Sequence, residues 1–111
     1  MGYGREWKRL LSGLIELNGA SPGQEVTGYV PFRRPLTVSE VESLTSRYSV
    51  RPTMLYGYRG QAKEREWLKA ETIQQAQAEM EGVYAVDVLG IPGDLLRLAD
   101  DKSVVVVMLR E

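Results

Sequence analysis

Apolar and polar positions along the chain change period several times, and each change marks an element. In "REWKRLLSGLIELNG", Trp7, Leu10, Leu11, Leu14 and Leu17 recur at near-helical spacing, and Asn18-Gly19 suits a helix stop. Gly13 leaves a strand in "GLIELNG" as the alternative. "QEVTGYVPFRRP" switches to period two: Val26, Gly28, Val30 and Phe32 share one parity, and Thr27, Tyr29 and Pro31 the other. Pro31 has no ladder donor, so an interruption or bulge is expected there. Thr37 and Glu40 spell a capping box, after which Val38, Val41 and Leu44 form the buried stripe of a helix. "PTMLYGYRG" reads as the second strand.

The next stretch, "QAKEREWLKAETIQQAQAEMEG", is polar. Its second half is helix-prone, with Ile73, Ala76 and Met80 as a narrow apolar stripe. Its first half reads as a loop anchored by Trp67. "VYAVDVLGI" is the third strand, "PGDLLRLADD" a short helix burying Leu95, Leu98 and Ala99, and "SVVVVMLRE" the fourth strand. Strand, helix, strand therefore occurs twice. The pattern predicts one α+β domain over residues 1–111, with residues 1–23 as an N-terminal helical extension. The expected architecture is a ferredoxin-like split β-α-β fold: a four-stranded antiparallel sheet, its first and third strands central, with the helices on one face.

That arrangement raises a question about the other face, which should be polar. Val104 to Leu109 are apolar on both parities. Tyr29 is expected on the open face, joined by either Tyr56 and Tyr58 or Leu55 according to register. Such a face is usually covered. The N-terminal helix folds across it, or a partner covers it, and the two are not exclusive. The expected interaction residues are Tyr29, Tyr56, Tyr58, Val105, Val107 and Leu109. The expected partner is another protein or a second copy, forming a homodimer through the sheet face or the last strand. That strand is without charge until Arg110, and uncharged edges invite pairing.

Composition narrows the chemistry. A chain of 111 residues is enough for one domain. Cysteine and histidine are absent, which removes disulfides, thiolate chemistry, the commonest general base and the commonest transition-metal ligand. Fourteen basic and fifteen acidic residues give a net charge of −1, which does not favour a polyanion. Tyr29 and Phe32 fall on opposite parities, so only one ring of the first strand can reach the open face. No nucleic acid is expected as a partner. "VTGYVPFRR" superficially resembles the acylphosphatase loop, but that pattern needs an asparagine on the second strand. The chain's one asparagine is Asn18, and Pro31 stands where a free N–H is wanted. Arg33 and Arg34 read as a solvated strand end. Among the carboxylates, Asp87 reads as a solvent-facing strand residue, Asp94 as a helix cap and Asp100-Asp101 as a turn. No catalytic residue, cofactor or metal is expected. No apolar run approaches the length of about 20 residues that a membrane helix needs, so any membrane tether would lie outside this chain.

The final third resembles the subtilisin-propeptide type of peptidase inhibitor. The pieces are Gly82, Tyr84 and Ala85 on a strand, Leu95 and Leu98 on a short helix, and Asp101, Val104 and Val107 leading into the last strand. The resemblance implies a sheet face that packs on a protease and a C-terminal tail in its cleft; only Arg110 and Glu111 follow the strand here. "GYV-x-F-x-RPLTV-x-EV" and "L-x-x-LADD" also look like extracytoplasmic domains of bacterial membrane-anchored proteins, which implies an extracytoplasmic place. The sequence reading is a non-catalytic interaction module. The alternatives are a small-molecule regulatory domain that dimerises through its sheet, although "FRRPLTVSE" lacks the glycine-rich loop such domains use, and a propeptide-like inhibitor.

Overall fold

Two strands distant in sequence meet at the centre of the sheet: β1 (Val26–Leu36) and β4 (Gly82–Gly90) pair antiparallel, with Val30 opposite Val86 and Gly28 opposite Val88. The structure, a computed structural model, describes residues 4–110, and of residues 4–10 it describes the helical backbone alone. The remaining elements are α1 (Gly4–Ala20), α2 (Val38–Arg47), β2 (Arg51–Arg59), β3 (Glu66–Ala70), α3 (Ile73–Glu79), α4 (Pro92–Ala99) and β5 (Met108–Arg110). The strand order is β3-β2-β4-β1-β5, antiparallel throughout. The fold is α+β.

The expected four-stranded ferredoxin-like split is corrected. The sheet has five strands, because "EWLKA", read as loop, pairs with β2 as β3. Gly60, at φ +89°, makes the turn between them, a conformation glycine adopts without penalty. The simple repeat of strand, helix, strand is broken by this hairpin. The last strand is also shorter than its apolar run. Ladder pairing covers Met108–Arg110, and Val104 makes a single bridge to Phe32. Tyr29 and Phe32 are separated by two residues, while their partners Met108 and Val104 are separated by three, Val105 to Val107. One residue is therefore extra on the second chain, which is a bulge. Pro31, without an N–H, lies opposite it and accepts the Val105 N–H at 3.0 Å. The bulge explains how Val104, Val106 and Val107 are all buried: the two-residue alternation is lost there. The β1–β4 register also shifts between Pro31 and Leu36, as the proline predicts.

One apolar cluster joins Val30, Leu55, Val86 and Val88 of the sheet to Val41 and Leu44 of α2, Ala76 of α3, and Leu95 and Leu98 of α4. Burying each large side chain contributes about 1.5–3 kcal/mol. The Thr37–Glu40 capping box forms in both directions, at 3.0 and 2.9 Å. Thr72 caps α3 by accepting the Gln75 N–H at 3.0 Å. Asp94 is not the cap of α4: Ile91 holds that position, and Asp94 instead pairs with Arg97 one turn on.

Leu14 is fully buried in the same cluster, and α1 packs on α4 and touches β5. The helix reading of "GLIELNG" therefore holds, and α1 lies beside α4 and not across the opposite sheet face. Trp7 and Leu10 of the predicted stripe lie outside the described side chains.

Candidate functional site

Strand alternation collects aromatic residues on the face that the helices leave open. Tyr29 lies on β1 opposite Asp87 of β4 and Met108 of β5. On β2 the register selects Tyr56 and Tyr58 for this face and buries Leu55. Tyr58 stands opposite Trp67 of β3, and Tyr56 opposite Lys69. A register shift in the β2–β4 pair sets Gly57 opposite Val83 and Tyr56 opposite Ala85, so Tyr84 has no partner in the ladder. Its ring comes to rest between Tyr56 and Trp67.

The result is a contiguous row. Ring centroids are 5.7 Å apart for Tyr29–Tyr56, 6.3 Å for Tyr56–Tyr84, 5.6 Å for Tyr84–Trp67 and 6.0 Å for Trp67–Tyr58. Three of these pairs are edge-to-face, an arrangement worth about 0.5–1.5 kcal/mol beyond the area buried. Cations lie over the rings. The Arg65 guanidinium is 4.1 Å from the Tyr58 centroid, Arg110 is 4.8 Å from Tyr29, and the Lys69 ammonium is 5.8 Å from Tyr56. Trp67 is 65% exposed and Tyr84 37%.

Asp87 sits under the row. It is buried, contrary to the expectation of a solvent-facing residue. Its carboxylate accepts the Tyr56 hydroxyl at 2.6 Å and the Arg110 Nε–H at 2.6 Å. Burial, then hydrogen bonding to Asp87 and the charge of that carboxylate, pushes the Tyr56 hydroxyl up to about 12, against the opposing pull of Arg110. A hydroxyl so held is a donor and a poor nucleophile at neutral pH. Tyr56 is thus expected to ionise late in an alkaline titration followed by phenolate absorbance, near pH 12, with the late step absent in Tyr56→Phe. The unfolded chain ionises near 10, so the stabilisation is full below about pH 10 and is lost as pH rises to about 12.

Of the six predicted interaction residues, Tyr29, Tyr56 and Tyr58 belong to this row. Val107 is in the core, Leu109 packs half-buried against the core, and Val105 is half-buried with its N–H on Pro31. Val107 and Leu109 face the core side, because the bulge breaks the alternation that would have set them outward. Trp67, Tyr84, Arg65, Lys69, Arg110 and Asp87 were not anticipated as its members. The alternation Arg65-x-Trp67-x-Lys69 after Gly60 was a strand signal; nothing local marks Tyr84, whose place depends on the register shift.

Asp101, Arg33 and Arg34 have structural partners. Asp101 accepts the Ser103 N–H at 2.9 Å and the Tyr48 hydroxyl at 2.8 Å, tying the end of α2 to the turn before the last segment. Burial alone would raise its pKa; these hydrogen bonds and Arg47 outweigh burial and hold it below the usual carboxylate value. The Arg33 N–H donates to the Ser103 carbonyl, and the Arg34 guanidinium lies 3.5 Å from Glu40. Among the described residues no group of His, Cys, Asp and Glu could hold a metal ion, and no helix is long and apolar enough to cross a membrane. No protein-family model matches the chain, and comparison with curated proteins and with solved structures finds no significant match to either.

Proposed function

We propose that this domain is a non-catalytic interaction module that takes a partner protein on its open sheet face. The observation that carries the reading is the row of five aromatic rings, two of them well exposed, interleaved with arginine and lysine. Tyrosine, tryptophan and arginine dominate the energetics of protein interfaces, because they bury large areas at low entropic cost. Trp67 packs on Tyr58 and Tyr84 and still leaves 65% of its surface open, more apolar surface than those contacts need. The edge-to-face packing and the Asp87–Tyr56–Arg110 bonds hold the surface in one shape, which lowers the cost of binding. The carboxylates best placed for chemistry, Asp87 and Asp101, are already engaged by hydroxyls, N–H groups and arginines.

The test uses the domain as bait, against a Trp67→Ala/Tyr84→Ala variant. Both side chains are exposed, so the variant is expected to keep its circular dichroism; the two edge-to-face pairs it removes are expected to cost about 1–3 kcal/mol of stability. A partner retained by the parent domain and lost by the variant is the expected outcome. Identical retained proteins from parent and variant would remove the aromatic face as the binding surface.

A further inference from the structure

We infer that the partner presents an acidic, extended segment that adds to the sheet as a sixth strand along β3; this inference rests on the interaction reading above. β3 ends the sheet and is paired on one side only, with β2. An unpaired edge offers a row of backbone donors and acceptors to an incoming strand. Alternation sets Trp67 and Lys69 of β3, with Arg65 just before it, on the aromatic face. A strand laid beside β3 therefore puts every second side chain next to these three residues.

Charge selects the occupant. Arg110 on this face is matched by Asp87 at 2.6 Å. Arg65 and Lys69 have no carboxylate partner among the described residues; they rest on the rings of Tyr58, Trp67 and Tyr56. Glu66 is on the opposite parity and pairs with Arg59 at 3.0 Å. The face is left with two unmatched positive charges at its β3 end, in a chain of net charge −1. Acidic residues at alternate positions of an added strand would meet them across the strand gap.

The same charges argue against a second copy. Two β3 edges joined antiparallel about Trp67 put Arg65 of each copy opposite Lys69 of the other, a like-charge cross-strand pair. Joining about Leu68 brings Lys69 beside Trp67 and leaves the cations crowded along one face. Ring geometry argues against single-stranded nucleic acid. Successive bases need stacking platforms, whereas neighbouring rings here are turned 68°, 69° and 86° from one another, and Arg65 and Arg110 already lie over Tyr58 and Tyr29.

The experiment titrates the full chain with a capped eight-residue peptide alternating glutamate and valine. Its lysine–valine counterpart and a single-stranded oligothymidylate serve as competitors for the assignment. Backbone amide hydrogen exchange is read at β3. The glutamate–valine peptide is expected to bind and to slow exchange at β3. Arg65→Glu/Lys69→Glu, both exposed positions, is expected to weaken it at least tenfold and to accept the lysine–valine peptide in its place. Absence of slowed exchange at β3, or equal binding to the charge-reversed variant, overturns the inference. Preferred binding of oligothymidylate overturns it in favour of nucleic acid, and a β3-joined dimer on sedimentation overturns it in favour of a second copy. If Trp67→Ala/Tyr84→Ala loses a partner whose binding leaves β3 exchange unchanged, strand addition fails while the aromatic-face reading stands.

Discussion

Gly57→Val is expected to lower the stability of the domain by about 3 kcal/mol or more, a large share of the roughly 5–15 kcal/mol that holds a domain folded. A Cβ at this position would fall well inside van der Waals distance of the Gly82 carbonyl oxygen and 2.6 Å from the Met80 sulfur. The methionine can move; the carbonyl belongs to the backbone of the paired strand and cannot move without opening the ladder. The close approach comes from the same register shift that frees Tyr84 to join the aromatic row. The glycine is therefore tied to the surface that β2 and β4 build, although its own side of the sheet faces the core. Gly13→Ala is the matching control. Nothing lies within 4 Å of its Cβ direction, and it sits within α1, so that change is expected to stabilise by about 0.5–1 kcal/mol. Urea unfolding of the two variants beside the parent domain measures both. A Gly57→Val domain within 1 kcal/mol of the parent would show that β2 and β4 do not approach as described.

Arg110→Ala is expected to cost about 2 kcal/mol. It leaves the buried Asp87 carboxylate with the Tyr56 hydroxyl and no countercharge. Loss of one member of a fully buried pair costs more than this; the Arg110 side chain is 46% exposed, so water takes up part of its role. Asp87→Asn alone keeps an oxygen for the Arg110 Nε–H and turns its NH2 to the Tyr56 hydroxyl, which can accept, so it leaves no charge unmatched at the carboxylate position and is expected to cost less. The double variant is the informative one. With no charge left unmatched, Asp87→Asn/Arg110→Ala should be more stable than Arg110→Ala alone, giving a coupling of 1 kcal/mol or more in a double-mutant cycle. Additive losses would mean that the two groups do not depend on each other. Tyr29 should respond as well, since the Arg110 guanidinium lies over its ring, and its fluorescence or chemical shift reports that loss separately from stability.

The elements most legible in the sequence are those whose signals are local. Thr37 and Glu40 form the capping box that their spacing spells, Val38, Val41 and Leu44 are buried, and Pro31 interrupts its strand. The central pairing of the first and third predicted strands follows from the order of the elements. The misreadings have a common physical origin. Trp67 was read as a loop anchor because apolar alternation on β3 is weak: an edge strand needs one buried face, and here its outward positions are Trp67 and Lys69. The run Val104 to Leu109 read as a full strand because period two assumes an unbroken ladder, which a single extra residue destroys. Asp87 read as solvent-facing because its partners, Tyr56 and Arg110, come from two other strands and depend on register. A third of the candidate face was visible as Tyr29, Tyr56 and Tyr58; the rest required knowing which strands are neighbours.

The two ends of the sheet differ in what they leave available for growth. At one end β5 contributes three paired residues and is touched by α1. At the other, β3 offers five. Polymerisation by strand addition needs two competent edges on every molecule, one to accept and one to extend. Two copies joined through β3 would have only their three-residue β5 edges left to offer a third. Growth of a fibre by copy-to-copy strand addition is thereby disfavoured by the asymmetry of the sheet itself. The shortness of β5, together with the bulge opposite Pro31, is what makes the two ends of the sheet unequal templates.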